Sequence, residues 1–195
     1  VPIVIYNFPG VAAGLDVNSE SLETLGHHPN IVGVKLTCGG IAKVARIRAT
    51  FEPSEFSALA GQSDWLTPAL SVGGTGVITG IANLFPKVGA ADLNMIYTDS
   101  NFLQCCIEIF DLFVAGKTKE AEAAQLKLAR MEWGFAKGGI NGTKWIVAKL
   151  LNYPQESHHC RRPYPQYADP KQQEWMSATC GILVNDEKRL NSAST

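Results

Sequence analysis

Four short apolar runs separated by helix-like stretches constrain this chain more than any other feature. The runs lie at 2–6 (PIVIY), 31–36 (IVGVKL), 56–61 (FSALAG) and 74–79 (GTGVIT). A strand that is apolar at nearly every position suits a parallel sheet covered on both faces, whereas a half-solvated strand alternates. The intervening stretches read as helices. Asn18 is a natural N-cap for Ser19-Glu20-Ser21-Leu22-Glu23-Thr24-Leu25, because its short side chain can accept from a free first-turn N–H. A second helix follows Gly39-Gly40, with Ile41, Val44, Ala45 and Ile47 on one face, and a third covers about Trp65 to Val72. The order β-α-β-α-β-α-β implies parallel strands joined by right-handed crossovers.

The second half changes character. Helices are expected over 83–98, 101–115, 118–137 and 142–152, with Gly116-Lys117 ending one and Thr118 capping the next. Glu120, Glu122, Lys127 and Arg130 read as a solvated face. Residues 153–169, rich in Pro, Tyr and His, read as a long ordered loop, and a last helix spans 170–182. The expected division is 1–100 as four βα units, 101–185 as a helical region of the same domain, and 186–195 as a disordered tail. A (β/α)8 barrel has eight strands in about 250 residues. The fold expected is therefore α/β, the C-terminal half of a TIM barrel (units 5 to 8) followed by a helical extension. The competing reading is a small open α/β sheet. The chain starts without Met inside a strand-like run, Val1-Pro2-Ile3-Val4-Ile5, with no basic leader. It reads as a chain whose beginning is missing rather than one carrying a signal peptide.

Composition excludes several function classes. A net charge of −1 over 195 residues leaves no electrostatic footprint for nucleic acid or an anionic membrane. No apolar stretch reaches the roughly 18 residues of a membrane span. The five cysteines form no C-x-x-C pair, which fits a reducing compartment and a cytoplasmic location. His27-His28 and His158-His159-Cys160 lack ligand spacing and a carboxylate cluster, so no metal is expected. Gly73-Gly74-Thr75-Gly76-Val77-Ile78-Thr79-Gly80 misses the dinucleotide spacing, its third glycine falling one position late. Gly138-Gly139-Ile140-Asn141-Gly142-Thr143-Lys144 lacks the phosphate-loop order and reads as a helix stop and restart. Arg161-Arg162 reads as surface charge.

One residue stands out against this background. Lys35 sits in Asn30-Ile31-Val32-Gly33-Val34-Lys35-Leu36-Thr37-Cys38, almost wholly apolar, and lysines are rarely buried unless paired or used. The preceding apolar run ends in Ile5-Tyr6-Asn7-Phe8-Pro9. In a parallel barrel, catalytic side chains project from the C-terminal ends of strands, and neighbouring strands lie about 4.8 Å apart. Tyr6 and Lys35 can then share one substrate. Apolar surroundings favour a free lysine amine, which attacks a ketone to form an imine. A phenol beside it can shuttle the proton that C–C cleavage requires. The alternative is a lysine snorkelling from a strand edge beside a core tyrosine.

Five motifs agree in order and spacing with one family: Tyr6-Asn7-Phe8-Pro9, Gly33-Val34-Lys35, Leu59-Ala60-Gly61, Gly76-Val77-Ile78-Thr79 and Ala82-Asn83. From residue 1 to about 165 the chain resembles the C-terminal half to two-thirds of the dihydrodipicolinate synthase/N-acetylneuraminate lyase family, class I pyruvate aldolases on a TIM barrel. The resemblance implies that Lys35 is the Schiff-base lysine and Tyr6 the proton-relaying tyrosine. It implies that Gly61 and Ile78 line the pocket near bound pyruvate, and that Thr37 can meet substrate hydroxyls. It also implies no cofactor beyond the lysine imine, a small keto acid as substrate, and a homo-oligomer, commonly a tetramer.

Two departures shape the reading. The lysine-biosynthesis members carry an arginine where this chain has Val11, within Pro9-Gly10-Val11-Ala12-Ala13-Gly14. Losing that bidentate carboxylate partner argues against dihydrodipicolinate synthesis. It leaves aldolases of 2-keto-3-deoxy sugar acids and of 4-hydroxy-2-oxoglutarate. His28-Pro29-Asn30-Ile31-Val32-Gly33 is similar to the eukaryotic members, and the fungal type cleaving L-threo-3-deoxy-hexulosonate to pyruvate and L-glyceraldehyde is the expected kind. Second, the family's carboxylate-binding Gly-Thr/Ser-Thr/Ser motif and a tyrosine from a neighbouring subunit lie outside these 195 residues. The non-enzymatic alternative is an inert half-barrel serving as an assembly module.

Overall fold

The computed structural model describes residues 1–84 and 104–180. Strands β1 (Ile3–Asn7), β2 (Ile31–Leu36), β3 (Ser57–Ala60) and β4 (Gly76–Val77) alternate with helices α1 (Ser19–Gly26), α2 (Ile41–Thr50) and α3 (Leu66–Ser71). All neighbouring pairs are parallel, in the order β1-β2-β3-β4, as four consecutive βα units of a barrel require. Helices α4 (Gln104–Val114), α5 (Thr118–Leu150) and α6 (Pro170–Cys180) follow. The described residues divide into two compact units, one of 1–79 with 104–125 and one of 80–84 with 126–180.

In the first unit, period-2 alternation holds over the last residues of β2. Val34 and Leu36 are fully buried and join Leu22, Val44, Ile47, Phe51, Phe56 and Ala58 in one cluster between sheet and helices. Gly33 and Lys35 therefore point to the other face. Gly33 has no room for a side chain, since a Cβ there would lie 2.6 Å from the Ser57 carbonyl oxygen. The Asn18 side chain accepts from the Ser21 N–H at 2.9 Å, the cap that starts α1. Helix α3 has no local side-chain cap at its start. Gln125 of α5 supplies one: its Oε1 accepts from the Thr67 N–H (2.8 Å) and hydroxyl (3.0 Å), while its Nε2 donates to the Ser63 carbonyl (2.8 Å).

Both α3 and α4 end in the same six-residue closure. Gly74 N–H donates to Ala69 and Gly73 N–H to Leu70, with Gly73 at φ +87°. Lys117 N–H donates to Leu112 and Gly116 N–H to Phe113, with Gly116 at φ +72°. Glycine adopts this left-handed position without a Cβ penalty. The α3 closure takes up Gly74 of the expected last strand, and β4 is only Gly76–Val77 rather than 74–79. Thr118 is not a cap: it is the first helical residue, and its hydroxyl donates back to Gly116.

The second unit corrects the helix count. The expected helices 118–137 and 142–152 form one element, α5, interrupted at the single residue Gly139 (φ 58°, ψ −159°). Glycines four apart line one side of it. A Cβ on Gly134 would lie 2.6 Å from Cys180 Sγ, one on Gly138 2.7 Å from Met176 Sδ, and one on Gly142 3.2 Å from the Tyr167 ring. Bare backbone is what lets α6 and the 153–169 segment pack so closely. The helix expected over 83–98 falls, beyond residue 84, outside the described residues, as does the tail beyond residue 180. Among the described residues no helix is long and apolar enough to cross a membrane.

Candidate active site

The register of β1 on β2 pairs Tyr6 with Lys35. In-register residues of parallel neighbours share a face, and the side chains meet there: Lys35 Nζ stands 4.0 Å from the centroid of the Tyr6 ring. An ammonium over an aromatic face is an attractive contact, and in this geometry it also brings amine and phenol to one place. Tyr6 is 54% exposed, so it is no core tyrosine. Its ring also touches Phe8 at 5.6 Å, and its hydroxyl has no hydrogen-bond partner among the described residues. Leu59 of β3 continues the row beside Lys35, followed by Gly76 of β4.

One further rung runs past every strand end. Thr37 N–H donates to the Asn7 carbonyl (2.8 Å), Gly61 N–H to Leu36 (2.9 Å) and Ile78 N–H to Ala60 (3.0 Å). Thr37, Gly61 and Ile78 thus form a stepped row at the C-terminal edge of the sheet. Thr37 Oγ1 is buried without a hydrogen-bond partner. A Cβ on Gly61 would fall 2.3 Å from that oxygen and 2.5 Å from the Leu36 carbonyl oxygen. Glycine at 61 is thus a packing necessity: it leaves the space that the Thr37 hydroxyl occupies. Ile78 is 45% exposed on the same edge. The structure brings Lys35 to Tyr6 and Thr37 to Gly61, the two pairs one pleat apart along β2.

The sequence reading passed over a polar network beside this row. Asn7 is only 2% exposed. Its Nδ2 donates to Asp16 Oδ1 (2.8 Å), and its Oδ1 accepts from the Val17 N–H (3.0 Å). Asp16 is ion-paired with Lys43 of α2, whose Nζ also reaches Cys38 Sγ at 3.9 Å. The Lys43 and Asn7 hydrogen bonds hold the Asp16 carboxyl below its ordinary value of 3.8. The signal for Asn7 was present: an asparagine at a helix-facing position of an apolar run must find partners. Its partners, nine and ten residues away across a loop, carried no signal.

Comparison with known proteins fits this geometry. The profile of the dihydrodipicolinate synthetase family matches residues 1–180. Among curated proteins, the chain is 38% identical over 163 residues to "Probable 4-hydroxy-2-oxoglutarate aldolase, mitochondrial" of Emericella nidulans, covering 84% of this chain and 46% of that one. It is 32% identical to the L-threo-3-deoxy-hexylosonate aldolase of Hypocrea jecorina, covering 78% and 45%. Among solved structures, a dihydrodipicolinate synthase family protein of Coccidioides immitis superposes with a TM-score of 0.75 at 32% identity, over 97% of this chain and 56% of that one. The chain spans about half the length of the curated relatives it matches.

Proposed function

Because the chain belongs to the dihydrodipicolinate synthetase family, we propose that Lys35 is the imine-forming nucleophile of a class I aldolase that releases pyruvate from a 4-hydroxy-2-oxo acid. The observation that carries this reading is the Lys35 amine held 4.0 Å from the Tyr6 ring centre on adjacent parallel strands.

The chemistry follows from those two groups. The free Lys35 amine adds to the C2 ketone, and loss of water gives a protonated imine. The Tyr6 oxygen takes the proton of the C4 hydroxyl and later returns it to C3 of the enamine. The C3–C4 bond breaks, its electron pair passes into the iminium to give an enamine, and the aldehyde leaves. Protonation of the enamine at C3 and hydrolysis of the imine by water return pyruvate and the free amine. The lysine supplies the electron sink, so the cycle needs no metal or cofactor. In this reading Gly61 and Ile78 line the pocket, and the Thr37 hydroxyl, buried against Gly61, would have to turn outward to meet a substrate hydroxyl. Val11, 71% exposed on the turn after β1, offers no charge to a second carboxylate. That favours a polyhydroxylated tail, as in a 2-keto-3-deoxy sugar acid such as L-threo-3-deoxy-hexulosonate. The names of the 38% and 36% identical relatives favour a second reading, 4-hydroxy-2-oxoglutarate.

Incubation with pyruvate and borohydride should yield a reduced pyruvyl adduct that maps to Lys35. Lys35→Ala should give none. Tyr6→Phe should keep the adduct but slow cleavage about 10²-fold or more. A folded wild-type protein that acquires no adduct overturns the proposal. Pyruvate release from the two acids, compared as kcat/KM, decides between the substrates.

A further inference from the structure

We propose that the Asn7–Asp16–Lys43 network is a positioning device that sets the Tyr6 hydroxyl relative to the Lys35 amine; this rests on the Schiff-base reading above. Tyr6 has little of its own to hold it. It is 54% exposed, its hydroxyl has no partner among the described residues, and its ring contacts there are Phe8 and the lysine itself. Where the phenol sits is therefore decided by the backbone of the end of β1.

That backbone is held through the next residue. The Asn7 carbonyl receives the Thr37 N–H from the end of β2. Its side chain, on the opposite face from Tyr6, closes the segment from Phe8 to Val17 by gripping Asp16 and the Val17 N–H. Asp16 is anchored by Lys43, whose side chain is only 13% exposed. The same amine reaches Cys38, three residues beyond Lys35 on the chain leaving β2. One cation thus ties together the ends of the two strands that carry the phenol and the amine. Asp16 is about half exposed, and such pairs add little to stability. What the network fixes is geometry. A misplacement of about 1 Å can cost 10²-fold in rate.

The inference separates two steps that Lys35 and Tyr6 divide between them. Imine formation needs the amine, while C–C cleavage needs the phenol at the C4 hydroxyl. Lys43→Met keeps the aliphatic stem and removes the cation. Asp16→Asn keeps an oxygen for Asn7 and removes the anion. Each should lower kcat for aldol cleavage by about tenfold to a hundredfold, with KM changed less than about threefold. Borohydride-trapped pyruvyl-Lys35 at saturating pyruvate should equal wild type. Lys43→Arg, which keeps the charge, should recover most of kcat. Should Lys43→Met fail to fold, Asp16→Asn decides. Wild-type kcat in Asp16→Asn, or a loss of trapped imine equal to the loss of kcat, overturns the proposal. A wild-type protein that traps no pyruvate removes the Schiff-base reading and this one together, whereas normal trapping with unchanged variants removes this one alone.

Discussion

Residue 61 has no space for a methyl group. Gly61→Ala would drive a Cβ to 2.3 Å from Thr37 Oγ1 and 2.5 Å from a backbone carbonyl oxygen. The strand ends would have to part, at a cost of about 1–3 kcal/mol, and the urea midpoint of the variant should fall accordingly. Thr37 itself is the opposite case. Its buried hydroxyl lacks a partner, so Thr37→Val, equal in shape, should leave stability unchanged or raise it by about 1 kcal/mol. If the hydroxyl serves substrate, cleavage should slow in a variant that is no less stable, which thermal melts and steady-state rates together will show. Asp16 carries a pH signature. Its folded carboxyl titrates below the ordinary 3.8, so its contribution is fully present above that value and is lost as pH falls through the folded value. The difference in urea midpoint between wild type and Asp16→Asn should be constant near neutrality and close up only below about pH 4.

At the level of elements, much was legible beforehand. The limits of β2 and the Asn18 cap were both readable, because a continuous apolar run and a capping asparagine are local signals. Lys35 and Tyr6 were legible as neighbours because each stands near the C-terminal end of its run and consecutive parallel strands pair. The limits of β3 and β4 were not: β3 is one residue shorter at each end than its apolar run, and the α3 closure takes Gly74 from the expected β4. The cap on α3 was beyond reach: its donor and acceptor lie 58 residues apart. The glycines at 138, 139 and 142 read together as a helix break, yet only Gly139 breaks the helix, and 138 and 142, with 134 one turn earlier, serve packing. Gly134→Ala should therefore destabilise the second unit by about 1–3 kcal/mol through overpacking against Cys180. At exposed Gly116, with φ +72° and open space around a Cβ, Ala should cost about 1 kcal/mol from backbone strain alone. Chemical denaturation of both variants tests the contrast.

Across the whole molecule, the two compact units differ in kind. The first carries the sheet, the site row and the network that braces it. The second is helical and holds Cys180, fully buried, with burial pushing its thiol up to about 12. So little thiolate exists at pH 8 that Cys180 should resist iodoacetamide while the protein is folded, and react once urea opens the unit. Peptide mapping after timed alkylation would show it, and early labelling of Cys180 in native protein would contradict the packing described.

The Gln125 cap also has a consequence for synthesis. The ribosome delivers β1 to β4 before α5, so the glutamine that caps α3 comes 58 and 62 residues after its partners. Until it emerges, the Thr67 N–H and hydroxyl lack this acceptor. The sheet can form its ladder early, but α3 gains its cap only once residue 125 has been made.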